Sequence, residues 1–291
     1  MSIPTMYHLI LERISWHVLP RVPEPEQIMH DPSQNAAFME AGDEDGFLAF
    51  SYFYHALQIT PLILHGDRVL DLACGPANQL VQIARLNPHS HFVGLDASVN
   101  MLDKARTTLL RHGLGNVELI SGDMTRLVGI DDASMDCVIC TMSLHHLPDL
   151  EALSGTMCEV RRVLKQGGGL YFVDFGRLKR ASTQRFFSED QRDCQSAQFT
   201  QDYINSLRAA FSVGELSNSV AAFGPDVVRH LTPLAPFMVV FKSAARRNLD
   251  TATQHLAQEI YRRMSMAQQK NFQALALWFR RGGYDLPCAL T

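Results

Sequence analysis

The chain has 291 residues, of which 46% are hydrophobic and 19% are charged, an ordinary composition for a soluble globular protein with one large domain and helical additions. The formal net charge of −4 disfavours a nucleic-acid partner, because such proteins usually carry a basic excess that neutralises phosphates, and it favours a small-molecule substrate. No uninterrupted apolar run is long enough to cross a bilayer, so neither membrane insertion nor export is expected.

Residues 1–64 are predicted to form a helical cap. The first helix is marked by apolar residues at helical spacing, namely Leu9, Ile10, Ile14 and Val18. A proline-rich link follows, with Pro20, Pro23 and Pro25. A second helical stretch runs from about Glu44 to Leu64 and is dense in aromatic residues. We expect these helices to cover one edge of a sheet.

From about residue 67, short apolar runs alternate with amphipathic segments, a pattern typical of βαβ units in a parallel sheet. Strands are predicted at Arg68–Leu72, His91–Asp96, Val117–Ser121, Met135–Thr141 and Gly168–Phe175. Helices are predicted at Gln79–Asn87, Ser98–His112 and Leu150–Leu164. The second of these helices has Ser98 as its N-cap, and its sheet-facing residues are predicted to be Val99, Leu102, Ala105 and Leu109. The glycine-rich run 165–169 is predicted to end the third helix, because glycine tolerates the left-handed conformation.

The pattern changes after Phe175. Residues 176–200 are polar and are predicted to be irregular, and a helix is predicted at Gln201–Phe211. Two apolar runs, Val227–Leu231 and Phe237–Phe241, suit an antiparallel edge that closes a parallel sheet. One long amphipathic helix is predicted in the tail, with an apolar face made of Leu249, Ala252, Leu256, Ile260 and Met264. The predicted organisation is therefore a cap (1–64), a main domain (65–243) with a substrate lid at about 176–225, and a C-terminal helical extension (244–291).

The first predicted strand carries Asp71 and runs into a turn of small residues, Ala73, Cys74 and Gly75. Small residues at such a turn let a ligand approach the backbone closely. Continuous apolar strands of this kind are typical of nucleotide-binding α/β domains. The turn therefore indicates a ligand that resembles adenosine.

Two more carboxylates follow the next two strands. Asp96 ends the second strand, at a distance from the turn close to that expected for a carboxylate that accepts hydrogen bonds from ribose hydroxyls. Asp123 lies between Gly122 and Met124, where it can accept a hydrogen bond from the exocyclic amine of adenine while Met124 packs on the ring. The fourth strand runs into residues 140–149, at the carboxyl edge of the sheet where open α/β folds bind ligands.

Five ordered stretches resemble class I S-adenosylmethionine (SAM)-dependent methyltransferases, most closely their UbiE-like small-molecule branch. They are VLDLACGPANQL, FVGLDASVNML, ISGDM, MDCVICTMSLHHLPD and EVRRVLKQGGGLYFVDFG, within about residues 67–176. The resemblance implies a Rossmann-like, seven-stranded, mostly parallel α/β sheet with an antiparallel last strand. It also implies SAM as the cofactor and methylation of an O, N, S or C nucleophile.

The resemblance assigns a role to each matching residue. Asp71 and the backbone of Ala73, Cys74 and Gly75 would contact the methionine part of SAM, Asp96 the ribose, Ala97 and Met101 the adenine surroundings, Asp123 the adenine amine, and Thr141 the ammonium group through its carbonyl. Ala73 and Ala77 stand where family members often carry glycine, so we expect the turn to avoid left-handed dihedrals there.

Other polar residues are candidates for contact with substrate. His145 or His146 could act as a general base near the methyl group, because neutral imidazole titrates near working pH. A second candidate role is contact with the substrate or with the SAM carboxylate. The residues considered for it are Asp174, Arg177, Tyr52 and Tyr54, although packing explains their presence equally well. The six cysteines show no paired metal spacing, so no metal is predicted, and we expect reduced thiols in a cytoplasmic protein.

Other functions are compatible with the same sequence. A tRNA or protein methyltransferase would dock through the tail from Ala244, which has seven Lys/Arg against three Asp/Glu, although a packed helix with a solvated basic face explains the tail as well. The tail could also build a homodimer. A SAM-binding module without turnover would share the motifs. A nicotinamide-dependent dehydrogenase is disfavoured because the turn lacks the full G-x-G-x-x-G set. Nucleic-acid methylation is disfavoured because no Asn/Asp-Pro-Pro-Tyr/Phe sequence follows the fourth strand.

Overall fold

The computed structural model describes residues 2–25, 39–190, 193 and 195–290. The proline-rich link is therefore described only as far as Pro25, and Cys194 lies outside the described residues. The described chain contains a seven-stranded sheet. Its strands are β1 (Arg68–Leu72), β2 (His91–Asp96), β3 (Val117–Ser121), β4 (Met135–Thr141), β5 (Leu164–Phe175), β6 (Val228–Leu231) and β7 (Met238–Lys242).

The strand order is β3-β2-β1-β4-β5-β7-β6. Strands β1 to β5 pair in parallel, and β7 pairs antiparallel with both β5 and β6. The order reverses between β1 and β4, and ligands of open α/β sheets bind at the carboxyl ends of strands beside such a switch point. The Rossmann-like fold with an antiparallel closing strand is confirmed.

Helices cover both faces of the sheet. They are α1 (Ile3–Ile14), α2 (Ala49–Ile59), α3 (Asn78–Leu86), α4 (Val99–Arg111), α5 (Leu150–Val163), α6 (Ala181–Glu189), α7 (Ala197–Ala209), α8 (Val213–Val220), α9 (Thr251–Arg263) and α10 (Met266–Arg281). Two separate groups of buried apolar residues, one on each face, form the core. Burial on both faces is the reason that the strands are continuous apolar runs. No helix among the described residues is both long and apolar enough to cross a membrane.

Strands β1 to β4 have the predicted bounds, whereas β5 begins earlier than predicted. Helix α5 ends at Val163, and β5 starts at Leu164, which pairs with Met135 at an irregularity in the register. The glycine run therefore does not end the helix but lies inside the strand, where Gly167 has a φ of 73°. The irregular pairing at Met135 accommodates this left-handed residue within the strand.

The N-terminal prediction was wrong about which side of the first helix is buried. Helix α1 ends at Ile14, and only its Leu9 and Glu12 are buried. Ile10, Ile14 and Val18 are 49%, 61% and 49% exposed. Glu12 is buried because its carboxylate accepts hydrogen bonds from the backbone N–H groups of residues 179 and 180, which rotates the helix away from the predicted face.

Three further predictions are corrected. Val99, in the first turn of α4, is 59% exposed and does not face the sheet. Residues 176–200 are not irregular throughout, since α6 and the start of α7 lie there. The single C-terminal helix is two helices, because Ser265 starts α10 with a capping box in which Gln268 takes part. In α9 the buried residues are Thr253, Ala257 and Tyr261, and Ala252 is exposed.

Candidate active site

A cavity of about 460 Å³ lies at the carboxyl ends of β1 to β4. The structure brings all the residues of the predicted site to its walls: Asp71, Ala73, Cys74, Gly75, Asp96, Ala97, Met101, Gly122, Asp123, Met124, Thr141, His145 and His146. Four strand ends therefore meet in one space, as parallel strands require when their ends share an edge. The individual binding roles of these residues stay predictions.

The turn after β1 has left-handed residues where the sequence led us to expect none. Ala73 has a φ of 58° and Ala77 a φ of 63°, and Gly75 between them has a φ of 53°. Alanine in this region costs roughly 1–2 kcal/mol, because its Cβ crowds the following carbonyl. The turn tolerates this cost because its ends are fixed by hydrogen bonds from Cys74 N–H to the Leu95 carbonyl and from Val81 N–H to the Ala77 carbonyl.

Asp96 joins the first and second strand ends. Its carboxylate accepts hydrogen bonds of 2.8 Å from the backbone N–H groups of Gly75 and Ser98. Each oxygen of a carboxylate has two lone pairs, so both oxygens keep capacity to accept from a ligand hydroxyl. Burial raises the pKa of Asp96, and the two backbone hydrogen bonds partly oppose that rise.

Asp71 lies beside Asp96 at the base of the cavity. Burial, together with the negative charge of Asp96, raises the pKa of Asp71 well above its usual range. Burial also raises the pKa of the Cys74 thiol, and the two carboxylates add to that effect. Two neighbouring buried acids gain most from a ligand that brings positive charge. The base of the cavity therefore suits a cationic ligand.

Two amide groups missed in the sequence analysis lie on the same wall. Asn78 and Gln79 open helix α3 directly after the turn, and both line the cavity. Their amide nitrogens, Nδ2 of Asn78 and Nε2 of Gln79, are buried and have no hydrogen-bond acceptor. Buried amide donors are normally paired, so these two point to an anionic group that a bound ligand supplies. The signal was present in the sequence, as polar residues at the start of a helix after a small-residue turn.

The ends of β3 and β4 form the remaining strand-derived wall. Asp123 is exposed, and its carboxylate accepts a hydrogen bond of 2.8 Å from Thr125 N–H. The Thr141 carbonyl accepts a hydrogen bond of 3.0 Å from the Ser143 hydroxyl. Met142, between Thr141 and Ser143, adopts a φ of 54°. Its N–H donates a 2.8 Å hydrogen bond to the Val173 carbonyl, which holds it in this conformation. This left-handed residue turns the chain from β4 toward the two histidines.

His145 is held by Asp174 through both its backbone and its ring. The Asp174 carboxylate accepts from His145 N–H at 2.9 Å and lies 2.7 Å from its Nδ1. Burial lowers the pKa of His145, but the charges of Asp174 and Glu24 outweigh it, and the pKa is raised. Asp174 thus positions the histidine and is not among the residues that line the cavity.

Of the other candidates for substrate contact, some lie on the cavity wall and some do not. Tyr52 lines the cavity. Arg177, which is not on the cavity wall, forms a 2.5 Å ion pair with Glu215. Tyr54 is fully buried and stacks on Phe279 at a centroid distance of 5.3 Å. Packing therefore accounts for Tyr54, and an ion pair accounts for Arg177.

Glu24 is a third residue that sequence reasoning missed. Its side chain is only 10% exposed, and its carboxylate lies 3.7 Å from His145 Nε2 and 3.4 Å from His146 Nδ1. Burial raises the pKa of Glu24, but the two histidines and a hydrogen bond from Ser206 outweigh it, and the pKa is lowered. Glu24 is more than a hundred residues from the histidines in sequence, so no local spacing could indicate it.

The wall opposite the strand ends comes from helix α7. Phe199, Asp202, Tyr203 and Ser206 line the cavity at spacings of one helical turn. Phe175 packs against Tyr203 with a ring-centroid distance of 5.5 Å. This wall lies within the predicted lid at 176–225, and it was missed because aromatic residues at helical spacing are equally typical of a core.

Comparison with known proteins agrees with the fold. A family model described as "Methyltransferase domain" matches residues 63–215, more than half of the chain. Demethylmenaquinone methyltransferase from Listeria monocytogenes is 38% identical over 110 residues, which are 38% of this chain and 45% of that protein. The demethylmenaquinone methyltransferase of Geobacillus kaustophilus is 36% identical over 104 residues, which are 35% of this chain and 43% of that protein. The matches thus span less than half of these relatives.

A solved structure shares the fold. The SAM-dependent methyltransferase from Aquifex aeolicus superimposes with a TM-score of 0.53 at 16% identity, covering 74% of this chain and 98% of that one. The matched family, the sheet order and the ordered motifs around one cavity lead to the same conclusion. The chain belongs to the family described as "Methyltransferase domain".

Proposed function

We propose that this protein transfers the methyl group of SAM to a nucleophilic atom of a planar aromatic small molecule. The observation that carries the proposal is the joining of Asp96 to the Gly75 backbone in the cavity that His145 and His146 also line. A carboxylate that would bind the ribose and a second polar group in the same cavity are what a transfer between two substrates requires.

The residues present fit SAM. Its ribose diol would donate to Asp96, and Ala97 and Met101 would surround the adenine, whose amine would donate to Asp123. The cationic methionine part suits the base of the cavity, where two buried acids lie side by side. Its carboxylate would accept hydrogen bonds from the unpaired amide nitrogens of Asn78 and Gln79.

The acceptor end is proposed to lie between the histidines and helix α7. The rings of Phe175, Phe199 and Tyr203 line the cavity there, and Phe175 lies 5.5 Å from both the His145 and the Tyr203 rings. Aromatic rings on a cavity wall favour a planar acceptor over an aliphatic chain. The relatives from Listeria and Geobacillus are named for demethylmenaquinone, a quinone, and this supports an aromatic hydroxyl or a quinol ring carbon as the nucleophile.

SAM supplies an electrophilic methyl group on a sulfonium, so the protein mainly has to align the nucleophile with the methyl carbon and sulfur and exclude water. The strand ends fix the SAM side of that line. Helix α7 covers the other side, and its aromatic side chains hold the acceptor plane. The prediction that His145 or His146 removes a proton from the acceptor is kept as part of this proposal.

The test is calorimetric titration with SAM followed by assay of S-adenosylhomocysteine release. The acceptor panel contains phenols, quinols, amines and thiols of matched size. We expect SAM binding and turnover with a phenol or quinol. Binding of SAM without turnover on any acceptor would favour a binding module, and the absence of SAM binding would overturn the proposal.

A further inference from the structure

We propose that Glu24, His145 and His146 form a binding site for a divalent transition-metal ion, of the zinc type, at the acceptor end of the cavity. Two imidazole nitrogens and one carboxylate oxygen are a donor set that zinc commonly takes, with a fourth position left open. None of the ordered motifs includes Glu24, which reaches the site from the N-terminal segment before α2.

The ligand atoms are already close to coordinating distances. The Glu24 carboxylate lies 3.7 Å from His145 Nε2 and 3.4 Å from His146 Nδ1, and one ligand atom from each residue lies within 4.8 Å of the others. Two atoms bound to the same tetrahedral Zn²⁺ at ~2.0–2.1 Å are about 3.3 Å apart. Small side-chain rotations would therefore complete the site.

The unpaired atoms of the cluster favour a cation. His146 Nδ1 is buried and has no hydrogen-bond partner of suitable geometry. The 2.7 Å contact with Asp174 accounts for His145 Nδ1 and leaves Nε2 to face Glu24. When the Nδ1 proton lies toward Asp174, the Nε2 lone pair and the Glu24 carboxylate face each other, and a cation between them satisfies both.

A second layer of contacts fixes the three ligands. A carboxylate on the distal nitrogen of a metal-binding histidine orients the ring and raises its basicity, and Asp174 has this position on His145. Ser206 donates a 2.7 Å hydrogen bond to the Glu24 carboxylate. Arg21 donates to the His145 carbonyl at 2.9 Å, so the segment that carries Glu24 is attached to the turn that carries the histidines.

The site opens toward the acceptor. His145, His146 and Ser206 line the cavity and Glu24 lies behind them, so a metal ion held by the two histidines would lie beside the space that an acceptor would occupy. There it would take an anionic oxygen of the acceptor hydroxyl, whose proton is released to solvent, so with the metal bound His145 and His146 act as ligands in place of the general base. This role rests on the proposed function, whereas metal binding itself does not.

The test measures metal directly. Full-length protein is freed of metal with a chelator, dialysed against Zn²⁺, and analysed for bound metal, and Co²⁺ is used to record the visible absorption bands of a tetrahedral site. We expect about one tightly bound Zn²⁺ per chain. Glu24→Gln and His146→Gln should each weaken Zn²⁺ binding by at least 100-fold, and Asp174→Asn by roughly 10–100-fold.

The matched control is His89→Gln. His65 and His89 are exposed, and their rings lie 4.9 Å apart, so this pair is a second place where Zn²⁺ could bind adventitiously. The control should leave the tight site intact. Loss of Zn²⁺ binding in His89→Gln, or equal binding by wild type and Glu24→Gln, would overturn the metal site. SAM titration of the metal-free protein is scored separately, so failure of the metal site and failure of the proposed function give different results.

Discussion

The Gly75 backbone N–H donates a 2.8 Å hydrogen bond to the Asp96 carboxylate, across a separation of 21 residues. This bond ties the turn after β1 to the end of β2. The carboxylate thus fixes the shape of the turn and lies where the ribose of SAM is proposed to bind. One side chain therefore sets two walls of the cavity.

Replacing Asp96 with Ala should weaken SAM binding by roughly 10- to 100-fold. The reason is the net loss of one hydrogen bond to a charged acceptor, which contributes about 1.5–3 kcal/mol. The measurement is calorimetric titration of SAM. The control is Asp103→Ala, which removes an exposed carboxylate that forms an ion pair with its helix neighbour Arg106. Unchanged affinity in Asp96→Ala would remove the ribose assignment.

The amide of Gln79 is expected to recognise the carboxylate of SAM. Gln79→Leu keeps the side-chain size but removes the buried donor, so SAM affinity should fall by about 10-fold. Affinity for methylthioadenosine, which lacks the amino-acid part, should stay the same. Gln82→Leu is the control, because Gln82 lies on the same helix with a buried unpaired atom but does not line the cavity. Equal losses for both ligands would contradict the assignment.

Replacing the two left-handed alanines with glycine should affect the free energy of unfolding differently. Ala73 is only half-buried, so Ala73→Gly removes backbone strain and little packing, and should raise the free energy of unfolding by about 1 kcal/mol. Ala77 is fully buried, so the gain at Ala77→Gly should be offset by about 0.8 kcal/mol of lost methyl burial. Urea denaturation measures both.

The control for these glycine variants is Ala84→Gly, at a buried position inside helix α3, which should lower the free energy of unfolding by about 1 kcal/mol or more. If Ala73→Gly were as destabilising as Ala84→Gly, the left-handed conformation at Ala73 would be wrong. This outcome would restore the dihedrals expected from the sequence.

Local patterns in the sequence were enough for the centre of the fold. The bounds of β1 to β4 follow from continuous apolar runs, and the carboxylates at their ends meet because parallel strands end at one edge. The left-handed turn at Ala73 could not be predicted, because its cost is balanced by bonds to another strand. Glu24 could not be found, because its partners lie far along the chain. The break before α10 could have been predicted, since Ser265 and Gln268 have capping-box spacing.

Arg21 is expected to attach the N-terminal segment to the active-site turn. Its guanidinium donates to the carbonyls of Ala209 at 2.6 Å, Pro148 at 2.5 Å and His145 at 2.9 Å, and also to that of Leu147. A lysine ammonium has three donors and no planar fork, so it cannot reproduce these contacts.

Arg21→Lys should therefore lower the free energy of unfolding by about 1–3 kcal/mol and speed amide exchange in residues 15–25. Hydrogen–deuterium exchange at Val22, whose N–H donates to the Arg208 carbonyl, is the most direct readout. The control is Arg13→Lys, at an exposed position in α1. Unchanged exchange in Arg21→Lys would show that the segment is held by other contacts.

Lys242 should make stability depend on pH. Its ammonium is largely buried, donates a 3.0 Å hydrogen bond to Gln58 and lies 5.5 Å from the ring centre of Tyr284, and burial lowers its pKa to about 8. The pKa of an unfolded lysine is about 10.4, so between these values the unfolded chain binds more protons. The free energy of unfolding therefore rises with pH between these values. The contribution of Lys242 is fully present above about pH 10.4 and is lost as the pH falls toward 8.

The measurement is urea denaturation of wild type and Lys242→Met between pH 7.5 and 9.5, below the range in which tyrosines ionise. Wild type should gain stability as the pH rises, toward a total of about 3 kcal/mol for the full shift, and the variant should lack that gain. Lys165→Met, which removes an ammonium from a surface ion pair with Asp136, should keep the wild-type slope. The same slope in Lys242→Met and wild type would mean that the buried ammonium is solvated in solution.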